Sequence, residues 1–472
     1  MTETAGRWWD DAVLAAFLSR QLGGAACVSA ASRLSGGAIQ DNWALEVAIE
    51  GQPPLALVMR SDAATGVQAS RSRQQEFKLL QVAHAAGVLV PEPLWPGDAS
   101  LGRACFFMRR VAGVAAGHRL AKDDRLVPDR AALARDIGRH MARLHRVRPG
   151  EPRLDFLPPA SPTPAADALA EMGAWLDRHH QPHPALRWAW RWLLRHQPPA
   201  CTPVLTHRDL RTGNYLVDQG RLSAILDWEF AAWSDPAEDL GWFCAACWRF
   251  GQPARDAGGI GPREALLAGY EEEAGWVPSA AAIRYWEIHA HLRWAVIALQ
   301  QADRVTRGGE ASLELALTGQ LVPSLECQLL ADTGIAVPAA DDALPDLTLR
   351  IAPPLATLIG LARQTLLDDL LPALPASAHY DARMIANVLA ISARQHGDAS
   401  DEQTPAHSPT LQAWLDADDA VSRLVLWRRL EQALMAGELD GDSARAHAGR
   451  DVLARLTWAR HREGSGRHYQ PV

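Results

Sequence analysis

No run of about 18 uninterrupted apolar residues, the length that a membrane helix needs, occurs in this 472-residue chain. The first residues show neither a basic start nor an unbroken apolar core, so no signal peptide is expected. Positive charge is not in excess either. Lys and Arg number 47 against 55 Asp and Glu, for a formal net charge of −8. Sequence-independent nucleic-acid binding rests on a basic face and is not expected. Cysteine is scarce: six residues cannot make a disulfide scaffold of this length. Cys244 and Cys247 form a C-x-x-C, but no second pair or nearby histidine completes a zinc set. Their spacing suits one face of a buried helix, where free cysteine packs as a small hydrophobe. These traits point to a reduced cytoplasm. What remains, 48% hydrophobic and 22% charged residues, is the composition of a globular protein.

One stretch carries chemistry. Leu205-Thr-His-Arg-Asp-Leu-Arg-Thr-Gly-Asn-Tyr-Leu-Val-Asp218 sets His207, Asp209 and Asn214 in an H-x-D-x-x-x-x-N pattern, and Asp227 closes the short apolar run that follows. Phosphoryl transfer from ATP needs such a set: a carboxylate to orient a hydroxyl and accept its proton, and an amide with a second carboxylate to hold Mg²⁺. Asp and Asn also satisfy ordinary turns. A turn alone does not account for the order strand, polar loop, hairpin and second acid that Pro203-Val-Leu, Tyr215-Leu-Val and Ala224-Ile-Leu lay out.

These residues resemble the aminoglycoside/choline phosphotransferase family, the small-molecule branch of the kinase-like fold. Asp227-Trp-Glu229 stands where protein kinases carry D-F-G. The run Ser234-Asp-Pro-Ala-Glu-Asp-Leu-Gly-Trp242 fits the same branch and begins too soon for a long activation loop, and no A-P-E follows. The chain is most similar, over roughly residues 25–330, to the subgroup related to kinase-like domains fused to acyl-CoA dehydrogenases. The resemblance implies an α+β, two-lobed fold with an antiparallel-sheet N-lobe and a mostly helical C-lobe, followed by an all-α C-terminal domain. It implies a nucleotide-binding lobe at 1–112, a catalytic and substrate lobe at 113–336 and a helical domain at 346–472. ATP and Mg²⁺ are the implied ligands, and a small-molecule hydroxyl is the implied acceptor.

Roles follow from the match. Asp209 orients the acceptor, Asn214 and Asp227 hold Mg²⁺, and His207 braces the loop. Asp239 is expected to brace it too. Arg208 and Arg211 add positive charge near the transferring phosphate or are merely solvated. Gly36 and Gly37 lie in a turn that would cover the phosphates, since glycine permits close backbone approach. The strand after this turn carries Arg60 where the family pattern has lysine. Arg is permanently charged and grips phosphate with a fork. Glu76, on the next helix, is its expected brace. Met108, Arg109 and Val111 are the candidates for adenine-facing backbone, with the register left open.

Apolar spacing predicts helices at 11–22, 130–145, 165–178, 185–195 and 281–302, and strands at 43–49 and 55–60. His140 and His145 read as structural. Trp188, Trp190 and Trp192 alternate and cannot share one helical face. The 18 tryptophans suit either a Trp-rich core or an aromatic-lined acceptor pocket. The segment 337–345 has linker composition, and helices are expected at 380–394, 410–417, 420–436 and 442–461, in a region that resembles helical proteins of unknown function. The subgroup resemblance points to a hydroxyacyl acceptor or its coenzyme A thioester, with choline-like alcohols and sugars open. No nucleic-acid or membrane partner is expected, and the helical region leaves room for a homo-oligomer. The alternative is a catalytically silent nucleotide-binding module that scaffolds the helical domain.

Overall fold

Helix α1 (Asp11–Leu22) starts where Asp10 accepts from the Ala12 and Val13 amides at 2.8 and 3.0 Å, which satisfies donors that the first turn leaves open. It ends at Gly23, left-handed at φ 68°. The computed structural model describes residues 7–34, 40–62, 71–179, 181–306, 308, 315, 318–319, 321–337, 359, 362–364, 366–395, 409–415 and 421–463. The chain falls into two compact units, residues 1–164 with 199–287, and residues 165–198 with 288–472.

The first unit opens with a five-stranded sheet of β1 (Ala26–Arg33), β2 (Gln40–Ile49), β3 (Gln52–Asp62), β4 (Pro93–Pro96) and β5 (Cys105–Arg109). The order is β1-β2-β3-β5-β4, antiparallel throughout. Helix α2 (Arg73–Ala85) begins with a capping box between Ser72 and Gln75, a reciprocal closure of two open donors. Side chains alternate across a strand, and β5 uses both faces. Phe107 stacks on Phe17 of α1 with ring centroids 5.0 Å apart, in a core with Trp43, Leu45, Leu57 and Met59. Phe106 turns to the other face and meets Phe77 of α2 at 5.7 Å. Arg60 lies opposite Phe106 in the β3–β5 register and opposite Asn42 on β2. Opposite residues share a face, so register alone aims Arg60 at α2.

Helices α3 (Gly117–Lys122) and α4 (Arg130–Leu144) follow. Past residue 199 come β6 (Val204–Thr206), the hairpin β7 (Tyr215–Asp218) and β8 (Arg221–Ile225), β9 (Ala232–Ser234), α7 (Pro236–Cys244) and α8 (Arg263–Ala274). Strand β6 pairs with β9, and β7 with β8. Helix α7 stops at Cys244, and Cys247 lies in a separate short turn, 246–248. The two cysteines therefore do not share a helical face as their spacing suggested, because Ala245 leaves the helix at φ −57°, ψ 139°. Both are free thiols. Helices α4 and α8 touch backbone to backbone. A Cβ on Gly138 would sit 2.0 Å from the Leu266 carbonyl oxygen, and one on Gly269 2.0 Å from that of Arg135.

The second unit contains α5 (Pro164–Arg178), α6 (Pro184–Arg195) and the greater part of α9 (Ala280–Thr306), then α10 (Val322–Asp332), α11 (His379–Gln395), α12 (Pro409–Trp414), α13 (Arg423–Met435) and α14 (Ala444–Glu463). The helices 165–178 and 185–195, read from sequence as part of the catalytic lobe, thus group with the C-terminal helices. The reason is shared core: Ala185 and Trp188 pack with Cys327, Leu330, Leu411, Trp414, Leu430 and Leu453. A buried charge cluster adds to it, with His183 Nδ1 3.1 Å and Arg460 Nη1 3.3 Å from Glu326 Oε1. The three alternating tryptophans find three settings. Trp188 is buried and donates to Thr333 Oγ1, Trp190 donates to the Leu169 carbonyl, and Trp192 stacks on His196. Among the described residues no helix is long and apolar enough to cross a membrane.

Substituting Gly138→Ala forces α4 and α8 apart and is expected to cost about 1–3 kcal/mol. Gly24→Ala, which meets open space, should change the melting temperature little. Equal melting temperatures for the two variants would refute the close helix crossing.

Candidate active site

The catalytic loop leaves β6 at Thr206. His207 is fully buried, and both its ring nitrogens are engaged. Nε2 donates to the Leu226 carbonyl at 2.8 Å and Nδ1 accepts from the Asp209 amide at 3.2 Å. One nitrogen must donate and the other accept, so the neutral Nε2–H tautomer is fixed. Arg208 is held in the left-handed region at φ 62°, a costly conformation for a non-glycine residue. What holds it is Asp239, on α7. Its carboxylate accepts from the His207 amide at 2.8 Å, the Arg208 amide at 2.7 Å and His145 Nε2 at 3.0 Å. His145 is oriented in turn by the Tyr270 hydroxyl, 2.9 Å from Nδ1. Burial alone would raise the Asp239 pKa. The hydrogen bond and charge of His145, then His207, outweigh it and hold the group below the usual carboxylate range.

Asn214 closes the loop. Its amide nitrogen donates to the Asp209 carbonyl at 2.8 Å and to Asp209 Oδ2 at 2.6 Å. Both amide hydrogens are thereby turned onto Asp209, which leaves the Asn214 side-chain oxygen for another partner. The Asn214 carbonyl accepts from the Leu226 amide at 2.8 Å. The Leu226 peptide is therefore bonded on one side to Asn214 and on the other to His207. That bond pair brings the next residue, Asp227, against the loop. Asp227 too is left-handed, at φ 61°.

Arg60 joins the sheet to this loop. Its Nη2 donates to Asp227 Oδ1 at 2.8 Å, its Nε is 2.8 Å from Glu76 Oε1, and Nη1 reaches Asn42 Oδ1 at 3.5 Å. Burial opposes the charge of Arg60, but Glu76 and Asp227 outweigh it and push its pKa up. Burial likewise opposes the charge of Asp227, and Arg60 reverses that and holds it below the usual range. At Glu229 the balance goes the other way: burial, then Asp227, outweighs Arg60 and raises it to about 7. The structure thus brings together His207, Asp209, Asn214 and Asp227, and Arg60 with Glu76. Met108 is placed by the sheet. It is buried within β5, between Val58 of β3 and Pro93 of β4, one residue before the strand ends. Gly36 and Gly37 lie outside the described residues.

Sequence reasoning missed Arg73 and Arg71, and took Trp248 only as one of several tryptophans near the motif. Arg73, fully buried, pairs with Glu76 and with Asp62, the latter at 3.0 Å. Its i,i+3 spacing to Glu76 was a readable signal. Arg71 donates to the Ala231 carbonyl from Nε and Nη2 at 3.2 and 2.7 Å. Trp248 lies under Arg211, 4.9 Å from guanidinium carbon to ring centroid. Neither of these pairs had a sequence signal. Arg208 proves to be tied to Glu238 Oε1 at 3.0 Å, and both of the chain's lysines, Lys78 and Lys122, lie on α2 and α3 away from β3.

The family model described as the phosphotransferase enzyme family matches residues 30–281. The chain belongs to that family. A second model, the domain of unknown function DUF6285, matches residues 372–460. A solved structure designated an aminoglycoside phosphotransferase from Ralstonia eutropha is 19% identical, with a TM-score of 0.56, and the match covers 69% of this chain and 98% of that one. Macrolide 2′-phosphotransferase MphH from Brachybacterium faecium is 22% identical with a TM-score of 0.44, covering 66% and 98%. A thermostable mutant of aminoglycoside phosphotransferase APH(4)-Ia, in ternary complex with AMP-PNP and hygromycin B, is 16% identical with a TM-score of 0.45, covering 68% and 97%. No curated protein matches the chain. Family membership and the first of these likenesses give the fold: a kinase-like, two-lobed domain with an antiparallel-sheet N-lobe and a mostly helical C-lobe, and a helical region beyond it.

A carboxylate whose folded pKa is depressed contributes stability above its unfolded pKa near 4, and that stability is lost as pH falls through the folded value. Asp239 should therefore add an acid limb to the stability curve. Thermal melts from pH 7 to 3 are expected to show Asp239→Asn less stable at neutral pH and less sensitive to acid than the native chain. Parallel curves would remove the brace from the account.

Proposed function

We propose that this phosphotransferase-family chain transfers the γ-phosphoryl group of ATP to the hydroxyl of a small molecule. The observation that carries the reading is the locked pair Asp209–Asn214, set beside Asp227 by the hydrogen bonds that the Leu226 backbone makes to Asn214 and His207. Binding alone does not require a base at Asp209, and a structural loop does not require two non-glycine residues in left-handed conformations.

The acceptor hydroxyl would lie against the Asp209 carboxylate, which orients it. Its oxygen attacks the γ-phosphorus, the bond from that phosphorus to the bridging oxygen breaks, ADP leaves, and the proton ends on Asp209. Arg60 supplies a fixed positive charge for the triphosphate, held in place by Glu76. His207 keeps the loop in shape through its neutral tautomer. Arg73 shares Glu76 and keeps it from following Arg60. The donors near Asp227 fit Mg²⁺: they are hard oxygens, the Asn214 amide oxygen and the Asp227 carboxylate, and Mg²⁺ typically takes one or two protein ligands and completes its shell with water and phosphate. Bound there, it would neutralise charge on the phosphates.

As acceptor we favour a hydroxyacyl compound, on the subgroup resemblance, and as compartment the cytoplasm, where ATP is abundant and the six free cysteines stay reduced. One residue favours the silent nucleotide-binding module instead: Arg60, in place of lysine.

Asp209→Asn should abolish phosphorylation across an acceptor panel while keeping the thermal stabilisation given by ATP with Mg²⁺. Turnover that survives in this variant would overturn the assignment, and stabilisation without turnover in the native chain would favour the silent module. Arg60→Met should raise the KM for ATP at least about tenfold, since it removes a charge-assisted phosphate contact.

A further inference from the structure

Arg211 lies two residues beyond Asp209. Its guanidinium carbon sits 4.9 Å over the Trp248 ring, and its Nε is 3.5 Å from Asp209 Oδ1. Cation–π contact of this kind fixes a guanidinium's direction without consuming its hydrogen-bond donors. The Arg211 side chain keeps 31% of its surface exposed, so a ligand can reach it. The shelf beneath is rigidly built. Trp248 is buried and lies 5.1 Å from Trp242, Arg249 donates twice to the Cys244 carbonyl, and the Thr212 hydroxyl ties the catalytic loop to the Gly258 carbonyl at 2.7 Å.

The acids of the neighbouring segment are engaged. Glu238 pairs with Arg208, Asp239 braces the loop, Asp235 caps α7 through the Ala237 amide, and Asp256 pairs with Arg263. A polycation brought up to Asp209 would meet a guanidinium 3.5 Å from that carboxylate and, in the segment 235–256, acids that are already paired. An oxyanion would meet a fork already aimed.

We infer that the acceptor carries an anionic oxygen group, carboxylate or phosphate, which Arg211 receives on its Trp248 shelf a few bonds from the reacting hydroxyl. This rests on the phosphotransferase reading above and adds the charge class of the substrate. Arg211 serves as an acceptor-binding residue, distinct from the nucleotide cation Arg60. The substrate class that follows is a short hydroxy acid or an alcohol phosphate, and an aminoglycoside falls outside it.

The test uses the full chain with ADP and Mg²⁺ present, so that the nucleotide site is filled. Thermal stabilisation is measured with 3-hydroxybutyrate against 3-hydroxybutyramide, glycerol 3-phosphate against glycerol, and kanamycin. The anionic member of at least one pair should stabilise the protein and its neutral counterpart should not; which pair responds separates carboxylate from phosphate. Arg211→Gln should weaken that response about tenfold or more, as expected for loss of a charge-assisted fork. Arg211→Lys, which keeps the charge without the fork, should fall between. Stabilisation by ADP should be unchanged in both variants, which also reports that they fold. Equal response to charged and neutral members, response to kanamycin, no response to any, or an undiminished response in Arg211→Gln would each overturn the inference. Loss of ADP stabilisation in Arg211→Gln would assign the residue to the nucleotide and overturn it as well. In all of these the phosphotransferase reading stands or falls separately, on the Asp209→Asn experiment.

Discussion

The carboxylate of Asp239 is the fixed point on which the site depends. It is wholly buried and accepts from two successive loop amides and one imidazole. An isolated charge in that position would be very costly, and it persists because every contact donates to it. The return is a loop shape that the chain would not choose alone. Arg208 is forced to positive φ, His207 turns inward in one tautomer, and Asp209 is presented with its carboxylate outward to Asn214. The two acids thus differ in setting: Asp239 is kept ionised by the donors around it and shapes the loop, whereas Asp209 is turned to Asn214 and Arg211.

A second constraint runs through Arg60. A lysine is a point charge on a flexible stem, whereas an arginine presents a planar fork. Here the fork is divided, one edge to Glu76 on α2 and one tip to Asp227 beyond the hairpin. Glu76 is itself shared with the buried Arg73. The sheet, the second helix and the turn at Asp227 are thereby joined through Arg60, Glu76 and Asp227. Glu229 is buried beside Asp227, and burial, then the charge of Asp227, drives it up to about 7 against the pull of Arg60. The arginine substitution therefore changes how the charge is held and keeps its location.

Much of this was legible before any coordinates. The helices at 11–22, 130–144 and 379–395 follow apolar spacing, and the catalytic motif follows residue order. Other features were not, and each for a physical reason. The C-x-x-C spacing suggested a shared helical face, but α7 unwinds at Ala245 and separates the two thiols. The helices at 164–178 and 184–195 read as part of the catalytic lobe because they precede the motif in sequence. They group instead with helices more than a hundred residues away, since Trp188 finds its apolar partners and its hydrogen-bond acceptor there. Arg71 and Trp248 had no local signature, because their partners, Ala231 and Arg211, are distant in sequence.

The sequence by itself determined which groups stand in the motif, Asp209, Asn214 and Asp227 with Arg60 upstream, and the proposed chemistry follows from them because phosphoryl transfer admits few residue types at those spacings. The side of the sheet on which Arg60 lies came from the strand register, since the apolar run before it does not alternate. The tertiary structure decided what those groups experience. Depressed and elevated carboxylate pKa values, a single histidine tautomer and a guanidinium laid on an indole all arise from burial and from neighbours brought in by folding. Spacing along a chain specifies which groups are available, and only packing sets the field in which they act.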